Sequence, residues 1–496
     1  MPVDQHVETY IAKLPKNAVI ASLFYRHGMR YRWLVVLTLC LASIATLSSG
    51  TMINVAIPQI MSTLQVSQNE AQWLSSAFLA ASTIAMLLAA WCVTQAGART
   101  TVLIASCIFV TASIVGCISD SIESLTAVRV AQGLSAGIIT SLAMSFVFHL
   151  FPDGEQGLAT GITAGSMILA PAVGPAIGGF ISDQFGWNYI FLIGVPGAVA
   201  AIPMILLYLP MRDQRTKGEG FNWPGLVFIT LSLYCLLRGI SGITTQNGVN
   251  AQLFYAAAAG ALFIYCEKTS ACPLIKVEVF CVLPFSILAL ISFTFGAGLY
   301  GSTYLLPLLF QWSHQLSPTQ AGLLLLPAGL VMGAFFPLTG KLADYADLRS
   351  LIALGFLFFA ASMFYFGFAR QGTAILMLAG ALILGRVGIG LMGPALIISS
   401  FRSLPAQFAH QSSGIMNFTR QLGGALGISM ASLFLDERTS HHLGHYCPKL
   451  SLCSSSQHSA ALNHGLYDSF FAMSLIFAFL LVPTYFLRTK PHSASV

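Results

Sequence analysis

The chain has 496 residues, of which 56% are hydrophobic and only 8% are charged, whereas roughly a quarter of an ordinary soluble protein is charged. Its mean hydropathy of +0.77 indicates a polytopic membrane protein, because lipid tolerates an apolar exterior that water does not. Composition excludes secreted disulfide scaffolds, disordered proteins and most soluble enzymes, and the basic residues behind the net charge of +6 lie singly between apolar runs, which does not support nucleic-acid binding.

Fourteen apolar segments follow one another along the chain, each close to the length of about twenty residues that crosses a bilayer as a helix. They lie at 33–56, 71–93, 101–119, 124–150, 157–182, 188–209, 223–242, 251–266, 283–309, 319–339, 351–369, 373–399, 411–434 and 467–487. The segment 251–266 is the shortest of them. We therefore expect an all-α polytopic membrane protein with fourteen transmembrane helices.

Lys and Arg are unevenly distributed among the segments that join these helices. If the N-terminal segment 1–32 is cytoplasmic, sixteen of the 23 basic residues lie on the cytoplasmic side, three lie in outer loops and four lie within helices. Because Lys and Arg are retained on the cytoplasmic side, we expect the segment 1–32 and the tail 488–496 to lie in the cytoplasm. The membrane is then expected to be the bacterial cytoplasmic (inner) membrane.

The two ends of the chain repeat one another. The corresponding positions are Arg129 and Arg386, Gly133 and Gly390, and Arg99 and Arg349. We expect two related six-helix halves, 33–209 and 283–487, the second with an outer loop at 435–466, separated by a linker at 210–282 that carries two inserted helices. Parallel repeats with a pathway at their interface are typical of secondary transporters.

Several stretches resemble the major facilitator superfamily, and specifically its fourteen-helix drug:proton antiporter branch, the EmrB/QacA type. They are TMINVAIPQI (51–60), RVAQGLSAG (129–137), LAPAVGPAIGGFISDQFGWNYIFLIGVPG (169–197), LSPTQAGLLLLPAGL (316–330), GKLADYADLR (340–349) and NFTRQLGGALG (417–427). The resemblance implies a non-enzymatic exporter of amphipathic or lipophilic small molecules, driven by protons through alternating access. It implies no cofactor, and a periplasmic adaptor protein is a possible partner.

The chain departs from the family pattern at positions that matter for coupling. Ser49 stands where relatives commonly carry Asp, and Asn222 replaces an Asp that is common before the first inserted helix. The first gating hairpin retains Gly97 and Arg99 but has lost its Asp. The second-half copy retains its three characteristic residues, Gly340, Asp344 and Arg349.

All seventeen acidic residues fall in loops or at helix ends of the predicted topology, so no carboxylate lies at mid-membrane. Proton-driven transporters usually carry protons on buried carboxylates or histidines. Asp183 and Glu70, both at outer helix ends, are the best candidates to replace the missing proton-carrying carboxylate. A dedicated exporter of one anionic or zwitterionic metabolite, siderophore or lipid-like compound, with atypical coupling, and a non-transporting membrane sensor remain alternatives.

Arg129 is the strongest single candidate for a functional residue, because a guanidinium within a membrane helix faces a bundle interior or a wet cavity. Gln132 offers it a polar neighbour and Gly133 allows close backbone approach. It either senses protonation or an anionic substrate group, or acts as a fixed structural clamp. Arg386 is its repeat partner, and Arg420 either lines the pathway or reaches the inner face.

Two further groups complete the predicted site. The antiporter motif, with Gly174, Pro175, Gly178 and Gly179, is expected to pack closely against a neighbour and to form the hinge and seal of alternating access. Residues of the first, ninth and thirteenth helices are candidate substrate contacts. They are Ser49, Thr51, Asn54, Phe295, Tyr300, Tyr304, Gln311 and Asn417.

The outer segment 435–466 is rich in histidine and carries Cys447 and Cys453. Its ligand spacing is too uneven to predict a zinc site, and we expect no metal. A Cys447–Cys453 disulfide is the favoured alternative if the outside is oxidising.

Overall fold

The computed structural model describes residues 28–151, 156–210, 220–243, 251–343, 345–370, 372–404, 406–446 and 454–485. Regular structure in these residues is helical, with fourteen long helices and no strand, which confirms the all-α prediction. They are α1 Tyr31–Leu64, α2 Trp73–Ala96, α3 Ala98–Cys117, α4 Ile122–Leu150, α5 Gln156–Gln184, α6 Val195–Tyr208, α7 Trp223–Ser241, α8 Ala251–Thr269, α9 Leu283–Leu308, α10 Pro318–Leu342, α11 Leu348–Phe368, α12 Ile375–Ser403, α13 Ala406–Tyr446 and α14 Ser455–Phe479.

Short turns extend several of these helices. A capped turn at Gln68–Ala71 leads into α2, a 3-10 turn at Trp187–Leu192 leads into α6, and a π-turn at Leu309–Ser313 continues α9. Eleven helices of the described chain are long and apolar enough to cross a membrane. Among the long helices, α8, α13 and α14 do not meet this criterion. The apolar exteriors of the other eleven fit a multi-pass membrane protein.

Helix packing repeats between the two halves of the chain. In the first half α1 packs on α5, α2 on α4, and α3 on α4 and α6. In the second half α9 packs on α13, α10 on α12, and α11 on α12 and α14. Each contact of the first half therefore recurs eight helices later, which matches the internal repeat read from the sequence.

The two halves meet along α5 and α10, along α2 and α13, and through α1 and α9. The helices between the halves, α7 and α8, pack on each other, and α7 also contacts α2 and α13. Leu233 and Leu237 of α7 join Leu426 of α13 in one apolar cluster with Trp73 of α2. The α7–α8 pair therefore lies beside the α2–α13 contact.

The α5–α10 contact is tight at one end and open at the other. A Cβ on Gly322 would lie 2.3 Å from the Pro175 carbonyl oxygen, and one on Gly179 would lie 2.2 Å from the Pro318 carbonyl oxygen. Further along the two helices, no atom of the described residues lies within 4 Å of a Cβ built on Gly165 or Gly333. The helices therefore separate towards the predicted cytoplasmic end.

The outer segment 435–466, expected as a loop, is largely helical. Helix α13 continues to Tyr446 and α14 begins at Ser455, so the loop expectation is wrong for these residues. The extension is held because Arg438 and His442 of α13 both bind the Asp468 carboxylate of α14, at 2.7 and 2.8 Å. Cys447 and Cys453 lie outside the described residues.

The predicted orientation can be tested with single cysteines in a cysteine-free background. Ser440 lies on the exposed outer extension of α13, and Tyr345 lies exposed between α10 and α11 at the opposite end. A membrane-impermeant maleimide should label Ser440→Cys in intact cells and Tyr345→Cys only after permeabilisation. The reverse pattern would overturn the topology.

Candidate functional site

Arg129 of α4 is the most completely bound charge of the first half, and only 1% of its surface is exposed. Its Nε donates to the Leu74 carbonyl oxygen at 2.6 Å, and Nη1 donates to the carbonyl and hydroxyl oxygens of Ser49 at 3.1 Å each. Nη2 donates to the Gly50 carbonyl oxygen at 3.4 Å. The Phe78 ring covers the guanidinium, with its centroid 4.4 Å from Cζ.

Gln132 and Gly133 complete this cluster. Gln132 accepts from Arg129 Nη1 at 2.9 Å and donates to the Ser113 hydroxyl at 2.9 Å. A Cβ on Gly133 would lie 2.3 Å from the Phe78 carbonyl oxygen, so only glycine lets α2 and α4 approach this closely. The Arg129 charge is therefore satisfied by dipoles of its own half, and Ser49 belongs to this cluster.

Arg386 occupies the equivalent position in the second half but is bound very differently. It is 7% exposed, and its one described hydrogen bond runs from Nη2 to the Thr303 hydroxyl at 3.1 Å. It lies beside Ser302, Ser362 and Gly385. The repeat thus places the same charge at the same position with much less of its hydrogen-bonding capacity used.

Two amides join α1 to α9 at the interface of the halves. Asn54 donates to the Thr303 carbonyl oxygen at 3.3 Å, and Gln311 donates to the Val55 carbonyl oxygen at 2.8 Å. Thr51 faces α5 and donates to the Pro171 carbonyl oxygen at 3.3 Å. These predicted substrate contacts therefore hold helices together in the observed state.

The antiporter motif uses two faces of α5. Gly174 and Gly178 face α1, because added Cβ atoms would lie 2.7 Å from Thr51 Oγ1 and 3.0 Å from the Met52 carbonyl oxygen. Pro175 and Gly179 face α10 instead. The motif therefore fixes α5 to its own half on one side and to the opposite half on the other.

Arg420 and Asn417 of α13 lie at the contact with α2. Arg420 Nη2 donates to Asn417 Oδ1, and Asn417 Nδ2 donates to the sulfur of Met86 at 3.4 Å. The buried Arg420 Nε has no partner among the described residues. Met86, which the sequence did not single out, is therefore the α2 side of this contact.

The three predicted aromatic contacts are not equally available. Phe295 and Tyr304 are buried. Tyr300 is partly exposed and its ring lies against Gly424 of α13, where an added Cβ would come within 2.3 Å of the ring. Tyr300 is therefore the least buried of the three aromatic candidates.

A match to a family model described as Major Facilitator Superfamily covers residues 39–428. The chain belongs to the Major Facilitator Superfamily.

Relatives of this facilitator include exporters. The chain is 27% identical over 416 residues to the multidrug export protein EmrB of Haemophilus influenzae, covering 82% of this chain and 81% of that protein. It is 23% identical over 471 residues to the riboflavin transporter RibZ of Clostridioides difficile, covering 94% and 100%. These similarities confirm the family recognised from the motifs, and EmrB supports its drug:proton antiporter branch.

The fold is also found among solved structures. A bacterial homologue of the human lysosomal transporter Spinster, in an inward-facing and unoccupied conformation, matches with a TM-score of 0.69. The match covers 94% of this chain and all of that one, at 14% identity. Likeness at this identity shows the shared fold.

The gating hairpin of the first half of this facilitator ties α3 to the end of α6. Arg99 Nε donates to the Leu209 carbonyl oxygen at 2.8 Å, and its backbone N–H donates to that of Pro210 at 3.1 Å. Gly97 provides the turn, with φ of 81°. In the second copy Gly340 faces open space and the Arg349 N–H donates to Asp347, while Asp344 lies outside the described residues.

Asp183 and Glu70, the two residues predicted to replace a proton-carrying carboxylate, both accept hydrogen bonds. Asp183 accepts from the Thr319 N–H at 2.8 Å and so caps the first turn of α10. Glu70 accepts from the backbone N–H and hydroxyl of Ser67, in the capping box before α2. Both carboxylates hold helix ends, as acceptors at helix N-termini commonly do.

The sequence gives no sign that Glu267 is buried, because this residue lies at the end of a weakly apolar segment. It is only 4% exposed, and it accepts from Asn222 Nδ2 at 2.7 Å and from the Ile275 N–H at 2.9 Å. Asn222 thus donates a hydrogen bond to the Glu267 carboxylate. An Asp at residue 222 would instead place a second negative charge beside Glu267. The departure at residue 222 has a structural reason.

The outer histidines show no metal cage. In the ranges that the structure describes, no three potential ligands converge on one point. His442 is bound to Asp468, and the His464 ring lies 5.3 Å from that of His442.

Arg129 should prove essential to the packing of the first half. Arg129→Ala leaves several acceptors without their charged donor and should destabilise the protein by about 3 kcal/mol or more. Arg129→Lys should recover little, because an ammonium group lacks the guanidinium fork. Thermal unfolding in detergent measures both, with the exposed Arg238→Ala as the control. Unchanged melting with lost transport would instead assign Arg129 to coupling.

Proposed function

We propose that this protein is a secondary active exporter of amphipathic or lipophilic small molecules across the bacterial inner membrane, working by alternating access and driven by protons. Its fourteen helices all span the membrane, with both termini in the cytoplasm and α7 and α8 as the inserted pair. The α5–α10 contact carries the proposal, since it is sealed by Gly179 and Gly322 at one end and open at Gly165 and Gly333 at the other.

The substrate class follows from the charges at the interface of the halves. Arg420 lies there, while Arg386 lies within the second half beside Thr303, and no described carboxylate bonds to either. A permanent cation would meet buried positive charge without a counter-ion. We therefore expect anionic or zwitterionic amphipathic compounds to be exported better than quaternary ammonium compounds.

A dedicated exporter of one metabolite is the second candidate. The relative named as a riboflavin transporter aligns over its whole length with this chain, so specialised transport fits the same fold. An adaptor protein remains a possible outer partner, and the exposed end of α13 at His441–Tyr446 is the surface we assign to it. Co-purification before and after deleting that end tests the adaptor.

Transport should be measured in proteoliposomes with an imposed pH gradient. We expect the gradient to drive accumulation of anionic and zwitterionic dyes of unrelated structure, and to drive a quaternary ammonium dye much less. Protein-free vesicles and vesicles with a collapsed gradient are the controls. Transport of a single metabolite only would favour the dedicated exporter, and no transport of any probe would reject an exporter.

Two glycines of α10 should shift the transport cycle in opposite directions. Gly322→Leu forces apart the sealed end, so the half-buried Ser166→Cys on the open end of α5 should react more slowly with maleimide. Gly333→Leu fills the open end, so Ser166→Cys should stay reactive while transport stops. Gly380→Leu on α12, which has open space around it, is the control. Equal effects of both leucines would contradict rocking about this contact.

A further inference from the structure

The contact between α2 and α13 holds a series of buried polar atoms that have no hydrogen-bond partner among the described residues. They are Gln72 Oε1, Ser82 Oγ, Arg420 Nε, Gln421 Oε1 and Ser429 Oγ. Buried polar groups without partners cost free energy, and ordered water is their usual remedy. So many in one place indicate a hydrated region.

These atoms form a line because of helix geometry. Gln421, Ser429, Ser432 and Asp436 share one face of α13, since steps of 8, 3 and 4 residues stay close to whole helical turns. Gln68, Gln72, Ser82 and Met86 follow the same rule on the opposing helix. Gln421 contacts Met86 at 3.6 Å, and Tyr304 lies beside Ser432 and Gln68 at the other end.

Asp436 lies at the predicted outer end of this line, two residues beyond the predicted span 411–434. It is half-buried, it lies near Tyr304, and no hydrogen bond or ion pair to its carboxylate is found in the described part of the chain. Burial raises the pKa of Asp436 to about 6. Its neutral form is therefore reached under mildly acidic conditions.

The charged groups around Asp436 are engaged elsewhere or point away. Arg438 and His442 of the same helix bind Asp468 of α14. Glu70, in the turn before α2, is held by Ser67, and Glu437 is exposed. Tyr304 is the titratable group that faces Asp436 from α9. Protonation is then the available way to neutralise this carboxylate.

We propose that Asp436 is the carboxyl group that takes up the coupling proton from outside, and that the polar line between α2 and α13 carries it towards Arg420. This inference rests on the proposed function. Hydronium gives its proton to the Asp436 carboxylate and becomes water. The carboxyl later passes a proton along waters and hydroxyls, each accepting one and releasing another, to water at the open cytoplasmic end. Arg420 stays protonated throughout.

The experiment uses the full-length protein in proteoliposomes and separates driven transport from exchange. Asp436→Asn should lose about tenfold or more of the accumulation driven by a pH gradient, since the amide binds no proton in this range. Exchange of labelled for unlabelled dye at equal pH, which needs no net proton movement, should stay within about twofold of wild type. That exchange also shows that the variant is folded.

Matched variants sharpen the result. Glu437→Gln removes the neighbouring exposed carboxylate and should leave driven transport unchanged. Asp436→Glu should retain driven transport with a displaced dependence on outer pH, a change that a purely structural role would not produce. In wild type, the driven rate should fall as outer pH rises through about 6.

Each remaining outcome is decisive. If Asp436→Asn keeps gradient-driven accumulation, or loses exchange to the same degree, the inference is wrong while the exporter stands. If wild type exchanges dye but a pH gradient drives no accumulation, proton coupling fails and this inference fails with it. If wild type moves no probe at all, the proposed function itself is rejected.

Discussion

The close approach of α5 and α10 is the contact on which the arrangement of the two halves depends. Within a bilayer, helices gain no hydrophobic free energy from meeting, so close van der Waals packing must hold them together. Gly179 and Gly322 provide it by letting backbone meet backbone at one end. At the other end, Gly165 and Gly333 have open space beside them among the described residues. A contact that is tight over half its length leaves the halves joined and still able to tilt.

The buried arginines show that one residue type at one repeat position can serve two purposes. Arg129 donates only to acceptors of its own half, so tilting the halves leaves its environment unchanged. Arg386 bonds only Thr303 among the described residues, and Arg420 lies at the contact between halves with its Nε unbonded. Arg129 is therefore fixed inside the first half, whereas Arg386 and Arg420 use fewer of their donors on the described residues.

Local patterns predicted most of the fold, and distant contacts decided the rest. The length of an apolar run is enough to predict a membrane helix from local sequence. The spacing of the glycines in α5 likewise predicts which of its faces pack closely against other helices. The helical end of α13 cannot be predicted from local sequence because Asp468, which binds it, lies 26 residues beyond His442. The surroundings of Asp436 cannot be predicted locally because Tyr304 lies more than a hundred residues away. The burial of Glu267 cannot be predicted locally because its partner Asn222 lies 45 residues before it.

The surroundings of Ser49 show why a carboxylate at this position would carry a coupling proton poorly. Ser49 Oγ lies 3.1 Å from Arg129 Nη1, so a carboxylate there would pair with a permanently charged guanidinium and hold its proton weakly. Deeper burial of a free carboxylate would be costly in lipid. The half-buried carboxyl proposed as the proton carrier, near the end of a helix, avoids both problems. Hydroxyl groups both donate and accept hydrogen bonds, which is what a proton route needs in place of a fixed charge.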